Sequence, residues 1–120
     1  MNPRHALEGV TVFERGWLSS NNILLHGRDA GEGATLVDTG YVTHAEQTLA
    51  LVRHALRHGQ PLAHIVNTHL HSDHCGGNAV IQEAFDAPIT IPPGLADAVR
   101  DWDAVRLSYQ ATGQRCARFV

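Results

Sequence analysis

Residues Asn67–Asn78 read NTHLHSDHCGGN, and this stretch decides which fold the sequence indicates. From His69 to His74 it places three imidazoles and one carboxylate within six residues. At the His and Asp content of this chain, an HxHxDH pattern should arise by chance roughly 0.003 times. The pattern therefore points to a chemical role rather than to coincidence.

The spacing of these side chains indicates a metal site. Side chains alternate along an extended segment, so we expect His69, His71 and Asp73 to project to one side. His74 follows directly, and we expect the two flexible glycines further on to let the chain turn it toward the same site. Neutral imidazole and carboxylate suit Zn, Fe, Mn or Co. Two such ions would lie about 3.5–4 Å apart and could share a hydroxide.

Other interpretations of the stretch stay open at this point. A histidine-rich surface loop without metal would have the same composition, and a structural site for a single ion would use the same ligand types. Cys75 could be a soft extra ligand or a small buried residue that packs under the loop. The residues alone do not separate these alternatives.

The segments before the stretch indicate three short strands and then a helix. The β-prone runs are Val10–Phe13, Ile23–His26 and Thr35–Val37. Gly-rich turns separate them, which predicts an antiparallel meander. A helix is predicted over Thr43–His58, where Thr43 and Glu46 have capping-box spacing and Gly59 provides a stop. A buried strand, Ile65–Asn67, then leads into the stretch.

The segments after the stretch indicate two more helices and a short strand. The predicted elements are a helix from about Asn78 that ends before Pro88, a strand Pro88–Ile91, a helix Leu95–Leu107 and a weak strand over Arg115–Val120. This order of elements predicts an α/β chain with a mixed sheet. A length of 120 residues predicts a single domain, residues 1–120.

Composition excludes several function classes. The chain has no Lys among its 9 basic residues, which excludes a Schiff-base lysine and a P-loop lysine. A net charge of -3 argues against nucleic acid as a partner. No stretch approaches the roughly 18 apolar residues of a membrane helix, and the N-terminus has no signal-peptide pattern. We therefore expect no membrane partner and a cytoplasmic location.

Three segments together resemble the metallo-β-lactamase superfamily. The family hallmark THxHxDHxGG is matched by Thr68–Gly77, and the strand-end aspartate of the family by Leu36–Gly40, which reads LVDTG. Asn21–Leu25 is similar to an early strand of the family. The resemblance implies a metallo-β-lactamase-like αββα sandwich. The chain length implies only its N-terminal half, with a mixed sheet and helices on one face.

The resemblance also implies a site. His69 and His71 would bind a first metal ion, and Asp73 and His74 a second. Asp73 would in addition act in catalysis by orienting the nucleophilic water. Asp38 would steady the ligand loop, as metal-bound histidines usually require. The implied cofactor is Zn²⁺, as one or two ions, with Fe or Mn as alternatives.

The implied function is metal-dependent hydrolysis. A metal-bound hydroxide would attack the carbonyl of a small-molecule ester, lactone, thioester or amide. The family takes further ligands from later segments, whereas this sequence has no His after His74. The alternative is therefore a truncated, non-catalytic metal-binding module that needs another chain for activity. A half sandwich would also expose one sheet face, through which we expect self-association.

Overall fold

A computed structural model describes residues 3–7, 9–15, 21–28, 32–56, 60–103, 107 and 118–120, with backbone alone at 3–7, 72 and 73. The strands are β1 (Pro3–Leu7), β2 (Val10–Phe13), β3 (Asn22–Leu25), β4 (Ala34–Val37), β5 (Leu62–Val66) and β6 (Ile89–Thr90). The helices are α1 (Ala45–Ala55), α2 (Ser72–Cys75), α3 (Asn78–Phe85) and α4 (Ala96–Arg100).

The strands form one six-stranded mixed sheet in chain order, from β1 to β6. Strands β1 to β4 pair antiparallel, and β5 and β6 continue the sheet parallel to β4. The switch to parallel pairing follows from the helical crossovers, since α1 separates β4 from β5 and α3 separates β5 from β6. The predicted meander and the predicted α/β class are both confirmed.

Strand β1 was not predicted from the sequence. Its residues, PRHAL, lack both β-branched side chains and apolar alternation. It pairs as an edge strand with β2 after a turn at Gly9, whose φ of 79° is left-handed. Pairing with a neighbour, rather than local propensity, therefore makes this segment a strand.

One face of the sheet packs against α1 and α3. Phe13, Leu24, Leu36 and Ile65 alternate inward from four strands and are fully buried. Helix α1 adds Leu49 and Val52 to this core, and α3 adds Ile81; Ala34, Leu62 and Ala87 complete the buried set. The helices thus cover the sheet face that carries the largest apolar side chains.

A second buried cluster lies around the HxHxDH stretch. It contains Leu70 and Cys75 of the stretch together with Ala98, Leu107 and Phe119. Trp102 packs edge-on against Phe119, with ring centroids 5.3 Å apart. The HxHxDH stretch is therefore packed onto an apolar support, and Cys75, with no exposed surface, is part of that support.

Arg15 joins the end of β2 to α1. Its Nη1 donates to Asn22 Oδ1 at 2.7 Å and to Thr48 Oγ1 at 2.6 Å, and its Nη2 donates to Gln47 Oε1 at 2.8 Å. Burial lowers the pKa of the Arg15 guanidinium because the charged form loses hydration. The three oxygen acceptors compensate part of that loss.

The first helix differs from the prediction at both described ends. A 3₁₀ turn, Val42–His44, precedes it, so Thr43 lies inside the turn and its prediction as N-cap is wrong. The tight turn moves the start of α1 to Ala45. The helix ends at Ala55 because Leu56 is extended, with ψ 132°. The predicted end at His58 and the stop at Gly59 lie outside the described residues.

The last helix is shorter than predicted. Helix α4 ends at Arg100 instead of continuing to Leu107. Trp102 is left-handed, with φ 42°. Its N–H bonds Val99 O at 3.3 Å, and the N–H of Asp103 bonds Ala98 O at 2.8 Å. These two bonds form a Schellman motif, which ends the helix. The sequence gives no signal for this motif, because Trp102 occupies the left-handed position that is usually Gly. The tail over 118–120 is not a strand, and 115–117 lie outside the described residues.

Candidate metal centre

The HxHxDH stretch leaves the sheet beside the segment that follows β4. Val37 pairs with Val66 in parallel register, and the N–H of Asp38 donates to Val66 O at 2.8 Å. Parallel neighbours end at the same edge of a sheet, so Asp38 and Asn67 emerge there together. Two sequence segments thirty residues apart thus meet at one edge because of the strand order.

Asp38 is the central acceptor of the loop. Its Oδ1 accepts the Thr68 N–H at 2.8 Å, and its Oδ2 accepts the Thr68 hydroxyl at 2.6 Å. Oδ2 also lies 3.0 Å from His74 Nδ1. Asp38 is 5% exposed, and its backbone is left-handed with φ 62°. One buried side chain therefore holds both the start and the end of the ligand segment.

These contacts determine where two imidazoles carry their protons. An ionised carboxylate only accepts hydrogen bonds, so His74 must donate from Nδ1 and its lone pair lies on Nε2. The Thr68 hydroxyl gives its single hydrogen to Asp38, so its oxygen accepts from His69 Nδ1 at 3.1 Å. His69 likewise carries its lone pair on Nε2. This tautomer is the one that a metal ligand needs when its other nitrogen is hydrogen-bonded.

The His69 ring lies near each of the other two imidazoles of the stretch. The ring centroids of His69 and His74 are 4.8 Å apart, and those of His69 and His71 are 6.4 Å apart. With Zn–N bonds of about 2.0–2.1 Å, two imidazoles on one tetrahedral ion have centroids about 5 Å apart. The spacing of His69 and His74 therefore suits two imidazoles of one metal centre, and the rings of His69 and His71, the pair expected on the first ion, lie further apart.

The predicted alternation ends earlier than expected. His71 is extended, with φ −108° and ψ 155°, but α2 begins at Ser72. The N–H groups of His74 and Cys75 both bond His71 O, at 2.9 and 3.0 Å. Asp73 therefore sits on a helical turn, not on an extended segment with His71, and that part of the prediction is wrong. The Asp73 side chain lies outside what the structure describes.

The glycines of the stretch do not have the predicted role of providing flexibility. Gly76 and Gly77 have φ of −62° and −88°, so neither uses a conformation reserved for glycine. A Cβ on Gly77 would lie 2.5 Å from Thr39 O. The helical turn of α2, and not glycine flexibility, brings His74 round, and Gly77 is needed for close approach of the backbone after β4.

A buried amide pair closes the stretch and was missed by sequence reasoning. Asn67 Nδ2 donates to Asn78 Oδ1 at 3.0 Å, and Asn78 Nδ2 donates to Asn67 Oδ1 at 2.6 Å. The Thr39 hydroxyl donates to Asn78 Oδ1 at 2.8 Å. The available signal was an Asn at each end of the stretch, but nothing in the sequence indicates that the two meet.

A cavity of about 360 Å³ opens beside the imidazoles. It is lined by Thr68, His69, Leu70, His71, Pro92 and Leu95. A small molecule in this cavity would contact the faces of two candidate ligands. The arrangement therefore offers space for a reactant next to the imidazole cluster.

The donor chemistry fits zinc, although the described side chains do not complete a site. Imidazole nitrogens with assigned tautomers are ordinary zinc ligands. Within the described part of the chain, no three His, Cys, Asp or Glu side chains lie close enough together to hold one ion. Asp73 is the remaining donor of the stretch.

Comparison with known proteins identifies the family. Residues 15–113 match the metallo-beta-lactamase superfamily. The chain belongs to the metallo-β-lactamase superfamily. The resemblance carried by the HxHxDH stretch is thereby confirmed at the level of the family.

Two curated relatives share the name hydroxyacylglutathione hydrolase. The protein of Maricaulis maris (strain MCS10) is 35% identical over 98 residues, which cover 75% of this chain and 36% of the relative. That of Erythrobacter litoralis (strain HTCC2594) is 40% identical over 76 residues, which cover 62% of this chain and 28% of the relative. The chain thus spans about one third of the length of these relatives.

Solved structures of superfamily members share the fold. A metallo-β-lactamase with a HARLDQ motif from Cronobacter sakazakii superposes with a TM-score of 0.74 at 19% identity, covering 100% of this chain and 46% of that one. The metallo-β-lactamase SMB-1, bound to 2-mercaptoethanesulfonate, gives a TM-score of 0.68 at 23% identity, covering 83% and 37%. The metallo-β-lactamase-like fold predicted for the chain is confirmed. No helix in the described ranges has the length and apolar character needed to cross a membrane.

Proposed function

We propose that this chain is the metal-binding portion of a zinc-dependent hydrolase that cleaves a small-molecule thioester or related carbonyl compound. His69, His71, Asp73 and His74 would hold one or two zinc ions, and iron or manganese would suit the same donors. We take the 120 residues as a single domain that forms part of an αββα sandwich. The curated relatives act, by their names, on hydroxyacylglutathione, so a hydroxyacyl thioester is the first substrate class to test.

The arrangement around Asp38 is the observation that carries this proposal. The carboxylate bonds His74 Nδ1 directly and reaches His69 Nδ1 through the Thr68 hydroxyl. A solvated surface loop would have no need of a buried carboxylate that orients two imidazoles. Such outer contacts are the usual accompaniment of metal-bound histidine.

Each residue then has a stated task in thioester hydrolysis. Zinc, when bound, supplies Lewis acidity that polarises a carbonyl oxygen and makes water a stronger acid. Asp73 would orient the water that adds to the carbonyl carbon. Asp38 and Thr68 would keep the imidazoles in one tautomer. Cleavage of the C–S bond yields a carboxylic acid and a thiol, with the proton of water delivered to sulfur.

The test combines zinc titration with a hydrolysis assay. We expect the purified chain to bind zinc by isothermal titration calorimetry, and His71→Ala to lower the affinity at least tenfold. Zinc-dependent release of thiol from a hydroxyacyl glutathione thioester would support the enzyme assignment. Failure of the unaltered chain to bind zinc would overturn the proposal.

A matched control uses a histidine outside the stretch. His54 is exposed on α1, and we expect His54→Ala to leave zinc affinity unchanged. An equal loss in both variants would mean that zinc binds histidines unspecifically.

The alternative is a metal-binding module that needs another chain for catalysis. It is supported by the finding that, within the described part of the chain, no three donor side chains lie close enough together to hold one ion. Zinc binding without thioester turnover would support this alternative, and zinc-dependent turnover would exclude it.

A further inference from the structure

We propose that Asn67 and Asn78 are positioning residues whose buried amide pair sets the spacing of the His69 and His74 imidazoles. The inference rests on the proposed function, because the spacing matters only if these imidazoles share a metal centre. It assigns a role to the two residues that bound the ligand loop.

The position of the pair in the chain supports this role. Asn67 directly follows β5, and Asn78 is the first residue of α3. The ten residues between them contain every candidate metal ligand. Two side-chain hydrogen bonds hold the ends of the loop at a fixed separation, which reduces the number of conformations that the loop can adopt.

Each side-chain polar atom of the pair has a hydrogen-bond partner, and the pair is buried. Asn78 has no exposed surface and Asn67 is 3% exposed. Each amide donates once and accepts once within the pair, at 3.0 and 2.6 Å. A buried polar pair of this kind specifies one arrangement, because any other would leave an amide without a partner.

Thr39 connects the pair to the strand that carries Asp38. Its hydroxyl donates to Asn78 Oδ1 at 2.8 Å, and its N–H donates to His74 O at 2.8 Å. Asp38 next to it binds Thr68 and His74. The amide pair thus fixes the ends of the loop, while the segment after β4 fixes its interior.

The informative variant replaces both amides by leucine. A single change leaves one buried amide unsatisfied and destabilises the fold, whereas replacing both partners by apolar groups of similar shape can be nearly neutral. The Thr39 hydroxyl loses Asn78 Oδ1 as an acceptor in this variant but still donates to His74 O at 3.4 Å. We therefore expect N67L/N78L to keep its circular dichroism spectrum and to melt close to the unaltered chain. A change in the metal site of that variant would then report on positioning and not on folding.

Two measurements decide the inference. In the metal-free protein, we expect the nuclear Overhauser contact between the His69 and His74 rings to weaken at least threefold in N67L/N78L. In the zinc titration, we expect the affinity to fall at least tenfold. An unchanged ring contact in the folded double variant would overturn the inference.

Two further variants complete the design. Gln60 carries another buried amide, which donates to Gly27 O at 3.2 Å away from the loop. We expect Gln60→Leu to leave the ring contact unchanged, and an equal weakening there would contradict the inference. Thr39→Ser should keep the ring contact, whereas Thr39→Val, which has the same shape without the hydroxyl, should weaken it.

The ring contact is measured without metal, so the two proposals can fail separately. If the unaltered chain binds no zinc, the proposed function fails while the ring contact still decides whether the amide pair positions the imidazoles. If zinc binds and the ring contact is insensitive to N67L/N78L, only the inference fails.

Discussion

At the scale of single residues, Asp38 combines a rare backbone conformation with three hydrogen bonds. A left-handed aspartate is uncommon, and its short polar side chain is one of the few that tolerates the conformation. The conformation turns the chain just after β4, at the point where the carboxylate meets Thr68 and His74. Asp38 therefore supplies both the left-handed turn of the backbone and the carboxylate that accepts these hydrogen bonds.

The role of Asp38 can be tested with Asp38→Asn. An amide nitrogen at the position of Oδ1 would face the Thr68 N–H, and one at the position of Oδ2 would face the Thr68 hydroxyl and the His74 Nδ1–H. Each of these groups is itself a donor, so either orientation loses at least one hydrogen bond. We expect zinc affinity to fall about 10- to 100-fold, the usual effect of losing such an outer contact. Isothermal titration calorimetry measures the change.

Asp86 provides the matched control for that experiment. It is also left-handed, with φ 52°, and it is exposed at the end of α3. Asp86→Asn changes the same atoms in the same backbone conformation, so we expect unchanged zinc affinity. If the two variants lost zinc affinity equally, the loss of a negative charge would explain the effect, and the hydrogen bonds of Asp38 would not.

At the scale of elements, α2 determines the site more than any single side chain does. The helix is four residues long and turns the chain between His71 and His74. It brings His74 under the carboxylate of Asp38, and its end at Cys75 contacts the apolar support beneath. A loop without this turn would keep the ligand types and lose their arrangement.

The junction between α2 and α3 can be tested with Gly77→Ala. The new Cβ would lie 2.5 Å from Thr39 O and 3.0 Å from Thr39 Cβ. Backbone must shift to relieve the overlap, so we expect the free energy of unfolding to fall by about 1–3 kcal/mol. Urea denaturation measures this change.

Gly94 separates steric overlap from backbone strain. It is left-handed with φ 89°, and a Cβ there meets nothing within 4 Å. Gly94→Ala should cost about 1–2 kcal/mol through conformation alone and leave zinc binding unchanged. Gly77→Ala should weaken zinc binding as well as stability. An unchanged zinc affinity in Gly77→Ala would mean that the junction between α2 and α3 does not influence the metal site.

At the scale of the whole molecule, the two sheet faces differ in how they are covered. The face toward α1 and α3 is fully buried along its centre. The opposite face carries Val12, Ile23, Val37 and Val66, which are half-buried, and Leu25, which is 41% exposed. Stability should therefore depend on the first face and association on the second.

The covered face is tested with Ile65→Ala. Ile65 has no exposed surface and pairs with both Leu36 and Ile89 in the sheet. Truncating a buried isoleucine leaves a cavity, so we expect the free energy of unfolding to fall by about 2–5 kcal/mol. Thermal denaturation with a two-state fit measures it, and a loss below that range would mean that the core closes around the gap.

The opposite face is tested by sedimentation. We expect the chain to self-associate with increasing concentration, because exposed apolar sheet surface favours pairing. Leu25→Glu should shift the distribution toward monomer, since a charge would have to be buried in the contact. An unaltered chain that stays monomeric at high concentration would contradict this expectation.

Local pattern in the sequence was sufficient for the meander of β2 to β4, the presence of α1 and α3, and the family, and it named the candidate donor groups of the HxHxDH stretch. These features depend on neighbours in the chain, through periodicity, turn residues and a dense motif. The early end of α4 was not predictable in the same way, because its stop uses a left-handed Trp102 that carries no common signal.

Only the tertiary structure decided what surrounds the motif. Strand order brought Asp38 beside Thr68 and His74, and it brought Asn67 against Asn78. Contacts between residues thirty or more positions apart depend on how the sheet is assembled, and no local spacing encodes them. The sequence by itself determined the candidate donor groups, and the packing of the sheet determined how the imidazoles of His69 and His74 are oriented.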